Sequence, residues 1–245
     1  MNKTKIIAFS GKKQSGKNTC ANFIYSKYLG NLKISKKINI NNDGQIIVSD
    51  IYGKTEYSGI FNPCETDTND YLITKCFNAI SPYIKLYSFA DPLKKDICIN
   101  ILGLTHEQCY GTDDHKNQLV DCYWPSKNSK MTAREVMQYV GTDILRSIKQ
   151  NVWTDAIIAK INRDQPQLAI ITDCRFPNEV ECIQNNNGVV VRLTRNIYDS
   201  DHISEKILDE ENYNWDQFDY ILDNRNIDIY NQSLEVDKIL KEVLS

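Results

Sequence analysis

Gly11-Lys12-Lys13-Gln14-Ser15-Gly16-Lys17-Asn18-Thr19 sets a lysine directly after the second of two glycines, with four residues between the glycines. This G-x-x-x-x-G-K frame suits phosphate. Its glycines let successive backbone N–H groups converge on phosphate oxygens, and the helix that follows aims its positive end at the same point. Lys17 then supplies a point charge to the β and γ phosphates. The usual Ser/Thr after the lysine, a Mg²⁺ ligand, is Asn18 here, so Thr19 is the available hydroxyl and Asn18 offers its amide oxygen.

Asp173 and Arg175 follow a second apolar run, Leu168 to Thr172. At the carboxyl edge of a parallel sheet, where ligands bind in open α/β folds, the acid can hold Mg²⁺ through water and the arginine can stabilise a transferring phosphoryl group. Lys94, Arg134 and Arg146 are cations on segments expected to border the same edge. Each taken alone is more ordinary as a solvated helix charge. Asp91 suits an acceptor hydroxyl, a metal or a helix cap, and Trp153 suits packing or a pocket wall. His202 reads as an exposed-loop histidine. The chain has no G-x-S-x-G elbow, no H-E-x-x-H, no clustered Cys/His site and no G-x-G-x-x-G, which argues against serine hydrolase, zinc and dinucleotide chemistry.

The elements that must position these groups are legible as alternating strands and helices. Ile6 to Phe9 is a buried strand, and a helix follows from about Asn18 to Leu29. QIIVSDIYGKTEYSGIF reads as a β-hairpin around Tyr52-Gly53-Lys54, followed by a polar loop from Pro63 to Asn69 and a short helix to about Ile80. Ile84 to Phe89 is a strand, and Pro92 opens a helix to about Leu102. Thr112 to Lys130 has no period and is expected to be a mobile loop. Thr132 with Glu135 is a capping-box signature for a helix ending near Gly141, and a second helix follows around Ile144 to Ile148. Trp153 to Arg163 is amphipathic. A helix from Pro177 to Asn187 stops at Gly188, strands Val189 to Leu193 and Tyr220 to Leu222 follow, and the last helix spans Gln232 to Val243. Alternation of this kind predicts an α/β fold with a parallel sheet covered on both faces.

At 245 residues the chain is expected to be one large domain with an insertion at 31–83. Hydrophobic residues at 41% and charged residues at 25% suit a globular core, and a net charge of −3 argues against a dedicated duplex-DNA binder. Eight scattered cysteines without a C-x-x-C pair suggest reduced thiols in a cytoplasmic protein, and no apolar run approaches the roughly 20 residues of a membrane span.

Four blocks together resemble the deoxynucleoside monophosphate kinases of tailed phages and large DNA viruses. These are FSGKKQSGKNT, YSFADPLKKDI, AREVMQYVGTDILR with Trp153 downstream, and IITDCRFPNE leading to DHISE. The loop alone is shared by many proteins, whereas the third and fourth blocks are far more specific. The resemblance implies a P-loop kinase three-layer sandwich that moves the γ-phosphoryl group of ATP to a deoxynucleoside 5′-monophosphate with Mg²⁺, in a host-cell cytoplasm if viral. Its partners would be these small molecules rather than nucleic acid or membrane, with room for a homodimer.

Carried over by position, the resemblance implies that Gly11, Lys13, Ser15, Gly16, Lys17, Asn18 and Thr19 face ATP phosphates, Lys13 also touching the acceptor phosphate. Thr19 and Asp173 would serve the metal. Asp91, Lys94, Arg134, Gly141, Thr142 and Trp153 would serve the acceptor, and Asp173, Arg175 and Glu179 would sit by the acceptor and the transfer site. Arg195 and Asn224 would flank the ATP base. Lys17, Arg134, Asp173 and Arg175 are the expected catalytic groups, residues 112–130 the expected closing segment, and the insertion a candidate for acceptor specificity. A kinase for dephospho-coenzyme A or phosphomevalonate would share the loop but not the GTD and DCRFPNE blocks together. A nucleotide-binding switch would have no need of acceptor-type arginines.

Overall fold

Strand β1 (Lys5–Ser10) leads through the glycine loop into α1 (Lys17–Leu32), followed by β2 (Lys37–Ile40), β3 (Ile46–Tyr52), β4 (Thr55–Phe61), α2 (Tyr71–Ile80) and β5 (Ile84–Tyr87). A π-helical stretch (Pro92–Ile99), α3 (His106–Tyr110), α4 (Asp113–Lys116), β6 (Leu119–Tyr123) and β7 (Lys130–Thr132) come next. After them lie α5 (Ala133–Gln138), a second π-helical stretch (Tyr139–Ile144), α6 (Leu145–Ile148) and α7 (Val152–Asp164). The remainder is β8 (Leu168–Cys174), α8 (Pro177–Asn185), β9 (Val189–Leu193), α9 (Ile203–Lys206), β10 (Tyr220–Leu222) and α10 (Ile229–Leu244). This computed structural model describes residues 3–52, 55–64, 69–197 and 203–245, with Tyr52, Ile203 and Ser204 described in backbone alone.

Contacts divide the chain into two compact units, residues 1–87 with 161–245, and residues 88–160. The first unit is built on a five-stranded parallel sheet of order β10-β9-β1-β8-β5. Its inner strands are near-continuous apolar runs because both faces are covered. Ile7 and Phe9 of β1, Ile170 of β8 and Val191 of β9 join one core with Ile24 of α1 and Val236 and Leu240 of α10. On the other face, Ile6 of β1 and Ile183 of α8 both press on Gly188, where a Cβ would lie 2.8 and 2.7 Å from them. Each such side chain contributes roughly 1.5–3 kcal/mol by leaving water.

Since β1, β8, β9 and β10 are parallel, the residues following each emerge at one edge of the sheet. That edge receives the glycine loop, Arg175, the segment after Leu193, and Asn224. The expected hairpin is present and larger than anticipated: β2 joins β3 and β4 in a three-stranded antiparallel sheet. Its core residues Ile46, Val48 and Phe61 face Leu72 and Cys76 of α2. The hairpin tip at Gly53 and Lys54, residues 65–68 of the polar loop, and His202 lie outside the described residues.

The second unit has its own core of Cys98, Leu104, Cys109, Val120, Met131, Ala133 and Val136. Residues 112–130, expected to lack regular structure, instead hold α4 and β6 and end at the first residue of β7, with which β6 pairs antiparallel. Capping boxes at Thr112 and Thr132 open α4 and α5. Gly141 does not end its helix; the backbone widens into the π-helical stretch and continues to Ile148. Likewise α1 passes Gly30 and stops at a left-handed Lys33 (φ 52°), and α8 ends ahead of a left-handed Asn187 (φ 58°) rather than at Gly188. All eight cysteines are free thiols.

Candidate phosphate-handling site

The loop between β1 and α1 is held open by backbone geometry only glycine adopts readily. Gly16 has φ 99°, and a Cβ there would lie 2.9 Å from Gln232 Nε2. Behind it stands a buried polar scaffold. Asn224 Nδ2 donates to Ser15 O (2.7 Å) and to Gln232 Oε1 (2.9 Å), and Gln232 Nε2 donates to Gly16 O (3.2 Å). Ser15 and Asn224 are fully buried, and Gln232 is nearly so. Each satisfied group avoids a desolvation cost of about 1–3 kcal/mol, so the network fixes the carbonyls of Ser15 and Gly16.

Lys17 is 8% exposed, and its Nζ donates to Gly11 O (2.7 Å), Lys12 O (2.6 Å) and Ser15 Oγ (3.4 Å). Burial pushes its pKa down to about 7, helped by the charges of Arg175 and Arg192 and opposed by that of Asp173. The charges of Arg175 and Asp173 are thus both felt by the loop lysine. Arg175 is positioned from behind, because the buried Glu179 carboxylate accepts from the Arg175 amide (2.8 Å) and the Phe176 amide (3.1 Å).

Asn18 is exposed. Thr19 packs against the insertion, where a Cβ on Gly44 (φ 76°) would sit 2.4 Å from its hydroxyl oxygen. Beside them lies a cavity of about 270 Å³ lined by Asn18, Thr19 and Asn22 of α1 and by Asp43, Gln45 and Asn62 of the insertion. A larger cavity, about 530 Å³, lies at the far end of α1 around Lys33 and Ile38 and holds none of the loop's chemistry. Arg195 donates through its amide to Asn224 Oδ1 (2.9 Å) and through Nη2 to Ile227 O (2.7 Å), which ties it to the same scaffold.

The remaining expected site residues belong to residues 88–160. Arg134 donates to Asp113 Oδ1 (2.9 Å) and Asn117 Oδ1 (3.1 Å), so α4 holds its guanidinium. Trp153 is buried and its Nε1 donates to Gly141 O (3.0 Å). Thr142 is exposed. Asp91 accepts from the Tyr110 hydroxyl (3.0 Å), and Lys94 Nζ lies 4.7 Å from the centre of that ring.

The family model for deoxynucleotide monophosphate kinase matches residues 91–231. This chain belongs to that family. A protein of Acanthamoeba polyphaga mimivirus named as a deoxynucleotide monophosphate kinase is 33% identical over 123 residues, 44% of this chain and 59% of its own length. The deoxynucleoside-5′-monophosphate kinase of Escherichia phage T5 is 32% identical over 116 residues, 41% of this chain and 45% of its own. The chain spans about half the length of these two relatives. The family match begins beyond the phosphate loop, whose assignment rests on its own geometry.

In this deoxynucleotide monophosphate kinase family member, sequence reasoning missed three contributors to the loop. Arg192 is 5% exposed, donates to Ser10 Oγ (3.1 Å) and to Asp209 Oδ1 (3.4 Å), and lies over the Trp215 and Phe218 rings. Its Nε is buried without a hydrogen-bond partner among the described residues. A lone arginine inside the apolar run VVVRL was the available signal. Gln232, polar on the face that carries Val236 and Leu240, was another. Glu205, the third, pairs with Arg175 and accepts from the Lys13 amide (2.9 Å); it lies in the DHISE block, but nothing local predicts those partners.

Among the described residues no cluster of three His, Cys, Asp or Glu could hold a metal. Mg²⁺ in kinase sites is held by one or two carboxylates, several waters and the substrate's own phosphates. Asp173, Thr19 and Asn18 are hard oxygen donors of this kind.

Proposed function

We propose that the chain transfers the γ-phosphoryl group of ATP to a deoxynucleoside 5′-monophosphate, giving the diphosphate. One observation carries it: a glycine loop with a buried lysine is electrostatically coupled to Arg175 and Asp173 in a chain of this family. The matched relatives are named for that chemistry. We take the chain as cytoplasmic in a host cell, with ATP and a deoxynucleoside monophosphate rather than nucleic acid as partners; no helix among the described residues is long and apolar enough to cross a membrane.

In this mechanism the amides of residues 13–17 and the Lys17 ammonium hold the donor phosphates, replacing the lysine's present carbonyl acceptors. Arg175 neutralises charge on the group in flight. Asp173, Thr19 and Asn18 would hold Mg²⁺, which when bound neutralises charge across the β and γ phosphates. Arg134, with Gly141, Thr142 and Trp153, would serve the acceptor, and Asp91 and Lys94 would flank it. The acceptor phosphate oxygen is already a competent nucleophile, so no strong general base is needed and positioning supplies most of the rate.

A panel of ribo- and deoxynucleoside monophosphates with Mg-ATP, followed as ADP release, tests the proposal. Release should require a deoxynucleoside monophosphate. Equal release without any acceptor would defeat it.

A further inference from the structure

The Glu205 carboxylate occupies a position built for an anion. One oxygen accepts from the Lys13 amide at 2.9 Å, within the glycine loop, and the other pairs with the Arg175 guanidinium. The Glu205 side chain is largely covered, at 9% exposed, while the Arg175 side chain stays partly open to water at 33%. The backbone is drawn in as well: Lys12 Nζ donates to Glu205 O and to Asp209 Oδ2, each at 2.5 Å, and Asp209 also faces Arg192. Three cations, from the loop, the end of β8 and β9, thereby hold residues 205–209 against the loop.

A phosphoryl group presents the same chemistry as this carboxylate, anionic oxygens that accept from a backbone N–H and a guanidinium at once. We propose that Glu205 is an internal stand-in for a phosphoryl group, an autoinhibitory contact that must withdraw before a polyphosphate can fill the loop. The proposal rests on the phosphate-binding reading of the loop. Two acceptors cannot share the same two donors, so the ligand and Glu205 compete. The ligand's observed affinity is lowered by the fraction of molecules in which Glu205 is seated.

Calorimetric binding of inorganic tripolyphosphate to the full chain and to Glu205→Gln tests this directly. The glutamine keeps the size and removes the competing charge. Glu205→Gln should bind about ten-fold tighter or better, the value for a contact seated ten times more often than not. Wild-type binding that the substitution leaves unchanged or weakens would overturn the stand-in while leaving the loop assignment in place. Failure of both proteins to bind would overturn the loop assignment and the stand-in with it. Amide exchange on the wild-type protein gives a second readout free of folding effects. Residues 205–209 should lose protection when tripolyphosphate binds, and a gain in protection would overturn the competition.

Discussion

Lys17 should take up a proton when a nucleotide phosphate binds. In the free chain burial and the Arg175 and Arg192 charges place its pKa at about 7, so at pH 8 only about 0.1 of the lysines carry the extra proton. A diphosphate in the loop puts negative charge at contact distance and favours the ammonium, raising the bound pKa well past 8. Uptake should then be most of a proton per molecule at pH 8, where ADP itself is fully ionised, and should fall as pH drops below about 7, where the free lysine is already charged. ADP suits the measurement, and titrating it in Tris and in HEPES resolves the protons, because the buffers release theirs with different heats. Heats at pH 8 that do not depend on the buffer would refute the argument. So would equal uptake in Lys17→Arg, whose guanidinium keeps its proton throughout.

Other substitutions separate the loop from the acceptor residues. Lys17→Ala should abolish transfer while leaving the fold intact, with at most a modest drop in melting temperature from the lost bonds to Gly11 O and Lys12 O; retained turnover would remove the loop assignment. Arg134→Ala should raise the acceptor KM far more than the ATP KM, and equal losses in the two would count against its acceptor role. Gln232→Leu removes one of the two donors on Gly16 O, which keeps the Cys20 amide, and one of the two acceptors of Asn224 Nδ2, which keeps Ser15 O, at a cost of about 0.5–1.5 kcal/mol per bond. Thermal melts should show the destabilisation, and ADP titration should show weaker binding; wild-type affinity would mean the loop does not need that scaffold.

What the sequence made legible were features with local physical causes. β1, β8 and β9 read as apolar runs because the sheet is covered on both faces, and Thr132 announced α5 through a side chain that caps three residues on. Elements of three to five residues, such as β2, α4, β6 and β7, are too short for periodicity to register, and their stability comes from partners distant in the chain. Gly141 suggested a helix end, yet its backbone continues through a wider turn and its carbonyl is met by Trp153. The loop frame, Asp173 and Arg175 could be placed from spacing and strand ends. Glu205 lies 192 residues from Lys13, and only the parallel crossovers of the sheet bring the two together.

The most direct test of the central claim is to follow labelled phosphorus from [γ-³²P]ATP in the presence of a deoxynucleoside monophosphate and Mg²⁺. The account predicts label in the deoxynucleoside diphosphate, none retained on the protein, and no transfer by Lys17→Ala. Label appearing only as inorganic phosphate, or in the diphosphate at an unchanged rate with Lys17→Ala, would contradict it.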